Sequence, residues 1–270
     1  MARPASTRKT SLCWTGIRRT ASAELLDLLS LLTDVIGTRG WALLWNRSAP
    51  TFTSYSMAVY RLQKAGLIAR RRNRGQTPFL LLTHEGESRI SDILRPERWW
   101  NQRWDGYWHV LSYDVPEKNR NYRRALQGFL HRMRMGLLHR SVWISCRDVR
   151  PAFLDLKEAA SLQDFAVLLE ARTVLGQTGR DLAGLAWNFD ALQTRQSEYI
   201  QACARRTATP LDPNLTPADL MDVMRQEQAA YENAMRSDPL LPRELWPSGY
   251  QGPAVVAAFR GRIAALATHL

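Results

Sequence analysis

Residues 107–171 alternate between strand-like and helix-like patterns, and this alternation constrains the fold more than any other feature of the chain. "YWHVLSYDV" reads as a strand, "PEKNRNYRRALQGFLHRM" as a helix and "GLLHRSVWISC" as a second strand. "PAFLDLKEAASL" then reads as a helix and "DFAVLLEARTV" as a strand. The first of these helices has Pro116 at its start and carries Leu126, Phe129, Leu130 and Met133 as an apolar stripe. Strands separated by single helices bury their apolar faces by packing those helices onto one sheet. The pattern predicts a ferredoxin-like α+β domain over residues 96–188, although one strand of that arrangement is not visible in the sequence.

The segment before it has a different logic. "SAELLDLLSLLTDVIG" places Leu25, Leu28, Leu29, Leu32 and Ile36 on one helical stripe, with Ser22 as N-cap and Gly37 as stop. "RGWALLWN" reads as a short second helix that ends before Pro50. Thr51 or Thr53 then caps a third helix running to about Ala65, closed by Gly66. Its inward face is Tyr55, Val59 and Leu62 with Ala58, and its outward face is Ser54, Ser56, Met57, Arg61 and Lys64. "LIARRR" and "PFLLLT" are two strand-like runs joined by "NRGQ". Helix, short helix, helix and hairpin make a winged helix-turn-helix over residues 22–95. Residues 1–21 form a basic arm ahead of it, and residues 189–270 form a helical C-terminal domain behind the central one.

Charge says what the N-terminal unit is for. The net charge of +12 splits into +10 over residues 1–103, +5 over 104–150 and −3 over 151–270. A front so basic points to a polyanion, most simply double-stranded DNA. Arg70, Arg71, Arg72 and Arg74 crowd the hairpin, where guanidinium groups neutralise phosphates and release counterions. Thr53, Ser54, Ser56, Tyr60, Arg61 and Lys64 supply the polar groups of the reading helix. Charge that merely protects an edge strand would need fewer arginines.

Several classes are excluded. No run approaches the ~20 apolar residues of a membrane span, and the basic, polar N-terminus lacks the apolar block of a signal peptide. Cys13, Cys146 and Cys203 are far apart and odd in number, which fits a reducing cytoplasm and neither a disulfide framework nor a zinc site. There is no Gly-rich phosphate loop, no nucleophile elbow and no His/Cys cluster at metal spacing. The residues call for no cofactor and no metal, and the chain reads as a non-enzyme.

"WDGYWHVLSYDVPEKNRNYRRALQGFLHRMRMGLLHRSVWIS" resembles the central domain of the PaaX family of transcriptional repressors. The shared features are the tryptophan-aspartate-glycine lead-in, the aspartate-x-proline-glutamate turn, the arginine-rich helix and the serine-valine-tryptophan strand. "MAVYRLQKAGLIARRR", "LAGLAWNFDALQTRQSEYI" and "ELWPSGYQGPAVVAAF" resemble the family's other segments, in order. The resemblance implies a dimeric repressor of a catabolic operon, typically for phenylacetate, released by an acyl- or aryl-coenzyme A effector. The basic arm and "GTRGWALLWNRSAPTF" depart from the phenylacetate regulators. An effector site would draw on Trp99, Trp100, Trp104 and Trp108 as aromatic walls, with Trp143 as a further wall and Arg123, Arg124, Arg140 and Arg147 for phosphates. The same tryptophans are equally well explained by core packing.

The central stretch is also similar to the CRISPR-associated adaptation nucleases, which are ferredoxin-like dimers with an aspartate closing the first strand. Asp114 stands at that place and would be the catalytic residue of a metal-dependent nuclease. The simpler reading makes Asp114 the cap of the helix beginning near Pro116, with Glu117 as its capping-box partner.

Overall fold

The computed structural model describes residues 26–27, 29, 52–71, 79–116, 119–160, 166–172 and 176–269. Of the N-terminal elements expected from the sequence, the first two helices lie outside the described residues apart from Leu26, Asp27 and Leu29, which are helical and buried.

Helix α1 (Phe52–Lys64) buries Ala58, Val59 and Leu62 and exposes Ser56, Met57, Tyr60, Arg61 and Lys64. Its end is set by Gly66 at φ +71°, a left-handed conformation that glycine adopts without steric cost. The Leu67 N–H donates to the Leu62 carbonyl at 2.9 Å and the Gly66 N–H to the Gln63 carbonyl at 2.9 Å. These are the two bonds of a Schellman cap. The chain then enters strand β1 (Ile68–Arg71), which pairs antiparallel with β2 (Phe79–Leu82), Arg70 opposite Leu80. Thr83 ties the hairpin back to the helix, donating from Oγ1 to the Gly66 carbonyl at 2.6 Å and capping α2 (His84–Ser88).

A connector with α3 (Glu97–Trp100) leads into the central sheet. Its order of elements is β3 (Trp108–Tyr113), α4 (Arg120–Arg132), β4 (Gly136–His139), β5 (Val142–Ser145), α5 (Arg150–Ala160) and β6 (Ala166–Ala171). The strands lie β4-β5-β3-β6, all pairs antiparallel. That is the strand order of a ferredoxin-like βαββαβ unit. The strand missing from the sequence reading is inside "GLLHRSVWISC", which is a hairpin rather than one strand. Arg140 turns it at φ 45°, without a glycine or Asn-Gly signature to announce the turn.

A second difference concerns α4. It starts at Arg120 rather than near Pro116, because Pro116 opens a turn closed by Asn119 N–H to Pro116 C=O at 2.9 Å. Asn119, and not Asp114, therefore occupies the N-cap position.

The two faces of the sheet have different covers. Leu111, Tyr113, Trp143 and Leu168 pack with α4 and α5 around Leu126, Phe129 and Phe153. Trp108, Val110 and Ile144 pack against α6 (Gly179–Ala186) and the start of α7 (Phe189–Ala208). Helix α6 begins in a capping box between Thr178 and Asp181, and α8 (Pro217–Met235) in one between Thr216 and Asp219. Helices α7, α8 and α9 (Gly252–Ala267) share a core in which Tyr231 stacks on Phe259 at 4.1 Å. Ala58, Leu62, Ile68 and Leu80 belong to that same cluster. None of the described helices is long and apolar enough to cross a membrane.

Candidate nucleic-acid interface and ligand cleft

Two surfaces gather functional side chains. The first is the outer side of α1 with β1. Burial of Val59 and Leu62 on one side of the helix forces Ser56, Tyr60, Arg61 and Lys64 to the other, and all four are exposed. Arg70 and Arg71 are exposed on β1, next to the helix end. Thr53 and Ser54 lie in the first turn of α1. Arg72 and Arg74 lie outside the described residues. The grouping is one of hydroxyls and cations above an apolar anchor, and its chemistry is that of phosphate contact with some capacity for base edges.

The second surface is a cleft of ≈ 430 Å³ where the connector, the sheet and the C-terminal loop meet. Trp99 and Trp104 come from the connector, Arg132 and Met133 from the end of α4, Arg147 and Val149 from the segment after β5, and Pro242 from the loop after α8. Trp104 is held by its backbone N–H, which donates to Glu244 Oε2 at 3.0 Å, and by its indole N–H, which donates to the Tyr107 carbonyl at 3.0 Å. Arg147 lies over the Trp99 ring, 3.6 Å from its centroid, and donates to the carbonyls of Pro239 at 3.1 Å and Leu240 at 3.0 Å. Burial pushes its guanidinium pKa down to about 10, so it stays charged at neutral pH. On the far side of Trp104 a second cleft of ≈ 300 Å³ is lined by Trp108, Arg172 and Thr178, among others.

The effector residues expected from the sequence do not share one site. Trp104 lines both clefts and Trp108 only the smaller one. Trp108 is buried between Trp104 and Trp187, at ring distances of 5.2 and 6.3 Å, so it packs the core. Trp143 packs on the opposite face of the sheet. Arg123 is half-buried and donates to the Val115 carbonyl at 2.8 Å, while Arg124 is exposed on α4 and Arg140 is exposed at the hairpin turn. Arg147 does reach the larger cleft. Trp99 lines it too, whereas Trp100 is buried beside Trp246 and Tyr250. Arg103 and Arg132 complete the cleft and were not expected as ligand residues, although the aromatic, arginine-containing run "ERWWNQRW" was an available signal for Arg103.

The carboxylates lie in two places. Asp114 is exposed at the end of β3. Asp105 and Asp148 both line the large cleft, and Asp148 is engaged by Arg150, with Nε to Oδ1 and Nη2 to Oδ2 both at 2.9 Å. Those bonds hold its carboxyl down to about 2. Arg150 also reaches Glu170 at 2.8 Å, and the buried His109 Nε2 lies 3.4 Å from Glu170 and 3.6 Å from Asp148. No group of three or more His, Cys, Asp or Glu among the described residues has the geometry to hold a metal. Cys146, beside this cluster, is a buried thiol whose pKa desolvation raises to about 12.

These features define a class, an α+β protein with a ferredoxin-like sheet set between a basic helix-hairpin and a helical C-terminal segment. Residues 101–183 match the family described as PaaX protein central Cas2-like domain. The resemblance of the central motifs, from "WDGYWHVLSYDV" to "SVWIS", is borne out over that stretch. Among solved structures the chain is similar to the uncharacterized protein Rv0674 from Mycobacterium tuberculosis, with a TM-score of 0.54 and 22% identity over 92% of this chain and 97% of that one. At that identity the likeness is one of fold. The chain has no match among curated proteins.

Proposed function

We propose that this chain is a DNA-binding transcriptional regulator, a non-enzymatic repressor of a catabolic operon that works as a cytoplasmic dimer and is released by an acyl- or aryl-coenzyme A effector. The observation that carries the reading is the exposed set Ser56, Tyr60, Arg61, Lys64, Arg70 and Arg71 on two elements fixed by one buried core. On this reading residues 22–95 are a winged helix-turn-helix, α1 enters the major groove and the hairpin lies along the backbone. The catabolic operon, the dimer and the effector class are supported by the family resemblance.

Replacing Arg71 and Arg72 together by Ala tests the contact directly. Affinity falls by a similar factor for all DNA sequences, and the log–log salt slope flattens by roughly one unit per lost phosphate contact. Unchanged affinity and slope would remove the hairpin from the interface. The same incubations with magnesium or manganese test the nuclease alternative, since metal-dependent cleavage that disappears in Asp114→Ala would replace the repressor reading with an enzymatic one.

A further inference from the structure

We propose that the outer face of α4 is a second nucleic-acid contact, which holds the phosphate backbone of a duplex through Arg120 and Arg124 without reading its sequence. The proposal rests on the DNA-binding reading for the identity of the polyanion, but it concerns a surface that the reading does not use. The net charge of +5 over residues 104–150 lies outside the helix-hairpin and is left without a role by it. Much of that charge stands on α4. Arg120, Arg124, Gln127 and His131 are exposed there at intervals of three or four residues, with Asn121 beside them and Arg132 at the end. That spacing is one stripe of a helix, about 16 Å long from Arg120 to His131. Leu126, Phe129 and Leu130 occupy the opposite side and are buried against the sheet.

The charge of the stripe is uncompensated. Helix stability favours acidic residues in the first turn and disfavours cations there, because the N-terminal end of the helix dipole is positive. Helix α4 does the reverse: it carries no acidic side chain, and it places Arg120 and Arg123 in its first turn and Arg124 just after it. Arg123 turns inward onto the Val115 carbonyl. Arg120 and Arg124 make no hydrogen bond or ion pair with a described residue. A local rule broken without a compensating contact is the mark of a functional position. The exposed acids nearby are Asp114 at the end of β3 and Asp155 and Glu158 on α5, so the positive potential is confined to α4. The partner's chemistry follows from the rest of the stripe. No large apolar side chain is exposed on it, whereas protein partners are held by an apolar centre. Guanidinium forks flanked by amide and imidazole groups match phosphate oxygens instead.

The layers of the fold make this a separate contact from that of α1. Helices α4 and α5 cover the sheet face that carries Leu111 and Leu168. The opposite face meets α6 and the start of α7, and α1 shares its core with α7, α8 and α9. The sheet therefore stands between the α4 stripe and the elements that support α1. A stretch of duplex lying on α4 is a different stretch from the one at α1, and its affinity comes from counterion release alone.

The test isolates α4 by working in the full chain with Arg71→Ala and Arg72→Ala already in place, so that the hairpin contact is removed. Fluorescence anisotropy then follows a mixed-sequence duplex of about 20 base pairs over salt from roughly 50 to 200 mM. Adding Arg120→Ala and Arg124→Ala is expected to weaken the residual binding about tenfold and to flatten the log–log salt slope by about two units, roughly 0.9 per phosphate lost. Arg120→Lys with Arg124→Lys keeps both charges and restores most of the slope. Arg140→Ala, exposed at the β4–β5 turn and away from the stripe, leaves affinity and slope unchanged. An unchanged slope in the α4 variant, or an equal loss in Arg140→Ala, overturns the proposal. Polyglutamate bound through Arg120 and Arg124 as tightly as the duplex also overturns it, in favour of an acidic protein partner. If Arg71→Ala with Arg72→Ala abolishes all duplex binding, the α4 contact falls and the regulator reading stands. If that pair changes nothing while the α4 pair removes binding, the hairpin loses its role and the α4 contact stands.

Discussion

Gly86 has no special dihedral, yet it is a residue that nothing else can replace. A Cβ there would collide with the Leu67 carbonyl, the backbone of the turn that delivers α1 into β1. Ala is the better helix former, by roughly 1 kcal/mol, but the clash is with backbone and cannot be relieved by a rotamer change. Gly86→Ala is expected to destabilise the protein by about 1–3 kcal/mol, read by denaturant unfolding. Asp148 makes a prediction in pH. Its carboxyl is held down to about 2 by hydrogen bonds from Arg150. The folded state therefore binds fewer protons than the unfolded chain, and the pair's stabilisation is present above pH ~4 and lost as pH falls through about 2. Arg150→Ala should raise the Asp148 midpoint toward that of an ordinary carboxylate in an NMR titration. The stability gap between the two proteins should be small, since both side chains are solvent-exposed, and should close on acidification below pH 4.

At the scale of elements, α7 and α8 are joined by one buried charge. Glu227 is 3% exposed and accepts from Tyr199 Oη at 2.8 Å, from Arg206 Nε at 2.9 Å and from Arg206 Nη2 at 2.7 Å. Stranding a buried carboxylate typically costs ~3–5 kcal/mol. Arg206 is partly exposed, so Arg206→Ala is expected to cost less, about 2 kcal/mol, with Arg206→Lys recovering only part because Lys lacks the fork. Thermal unfolding of the two variants measures this, and equal stability of wild type and Arg206→Ala would mean that water replaces the guanidinium without penalty. The basic hairpin is built differently. Ile68 and Leu80 are buried in the core while Ala69, Arg70 and Arg71 face out, so alanine at Arg71 should change DNA affinity without changing stability.

At the scale of the molecule, a single winged helix makes too few contacts to select one operator from a genome, and two copies supply the missing half-site. We expect a dimer on an inverted repeat, checked by light scattering and operator titration. A monomer on an asymmetric site would defeat that expectation. Helices α7 and α8, long enough to pair subunits, direct Leu192, Tyr199, Met224 and Tyr231 into their own chain's core instead. A second copy would therefore meet their polar outer faces, while exposed apolar side chains stand elsewhere, among them Val167 and Leu169 on β6.

Local signals were legible in the sequence. The apolar stripes of α1 and α4, the Gly66 cap and most strands of the central sheet depend on residues within a few positions of one another, so periodicity and turn chemistry reveal them. The order of the βαββαβ unit followed, apart from the turn at Arg140. That turn is imposed by pairing of β4 with β5 on a residue type that does not advertise a left-handed conformation. The start of α4 was missed for a related reason, since Pro116 serves a turn as readily as a first helical turn. The cleft was legible only in part, through Trp99, Trp104 and Arg147. Trp99, Arg132, Arg147 and Pro242 are brought together from distant segments, and Trp104 and Trp108 looked alike until packing sent one to the cleft walls and the other into the core. Sequence determines which side chains a strand or helix presents, because that is a matter of short-range geometry. Only the tertiary structure decides which of those side chains face each other, because that depends on how the elements dock.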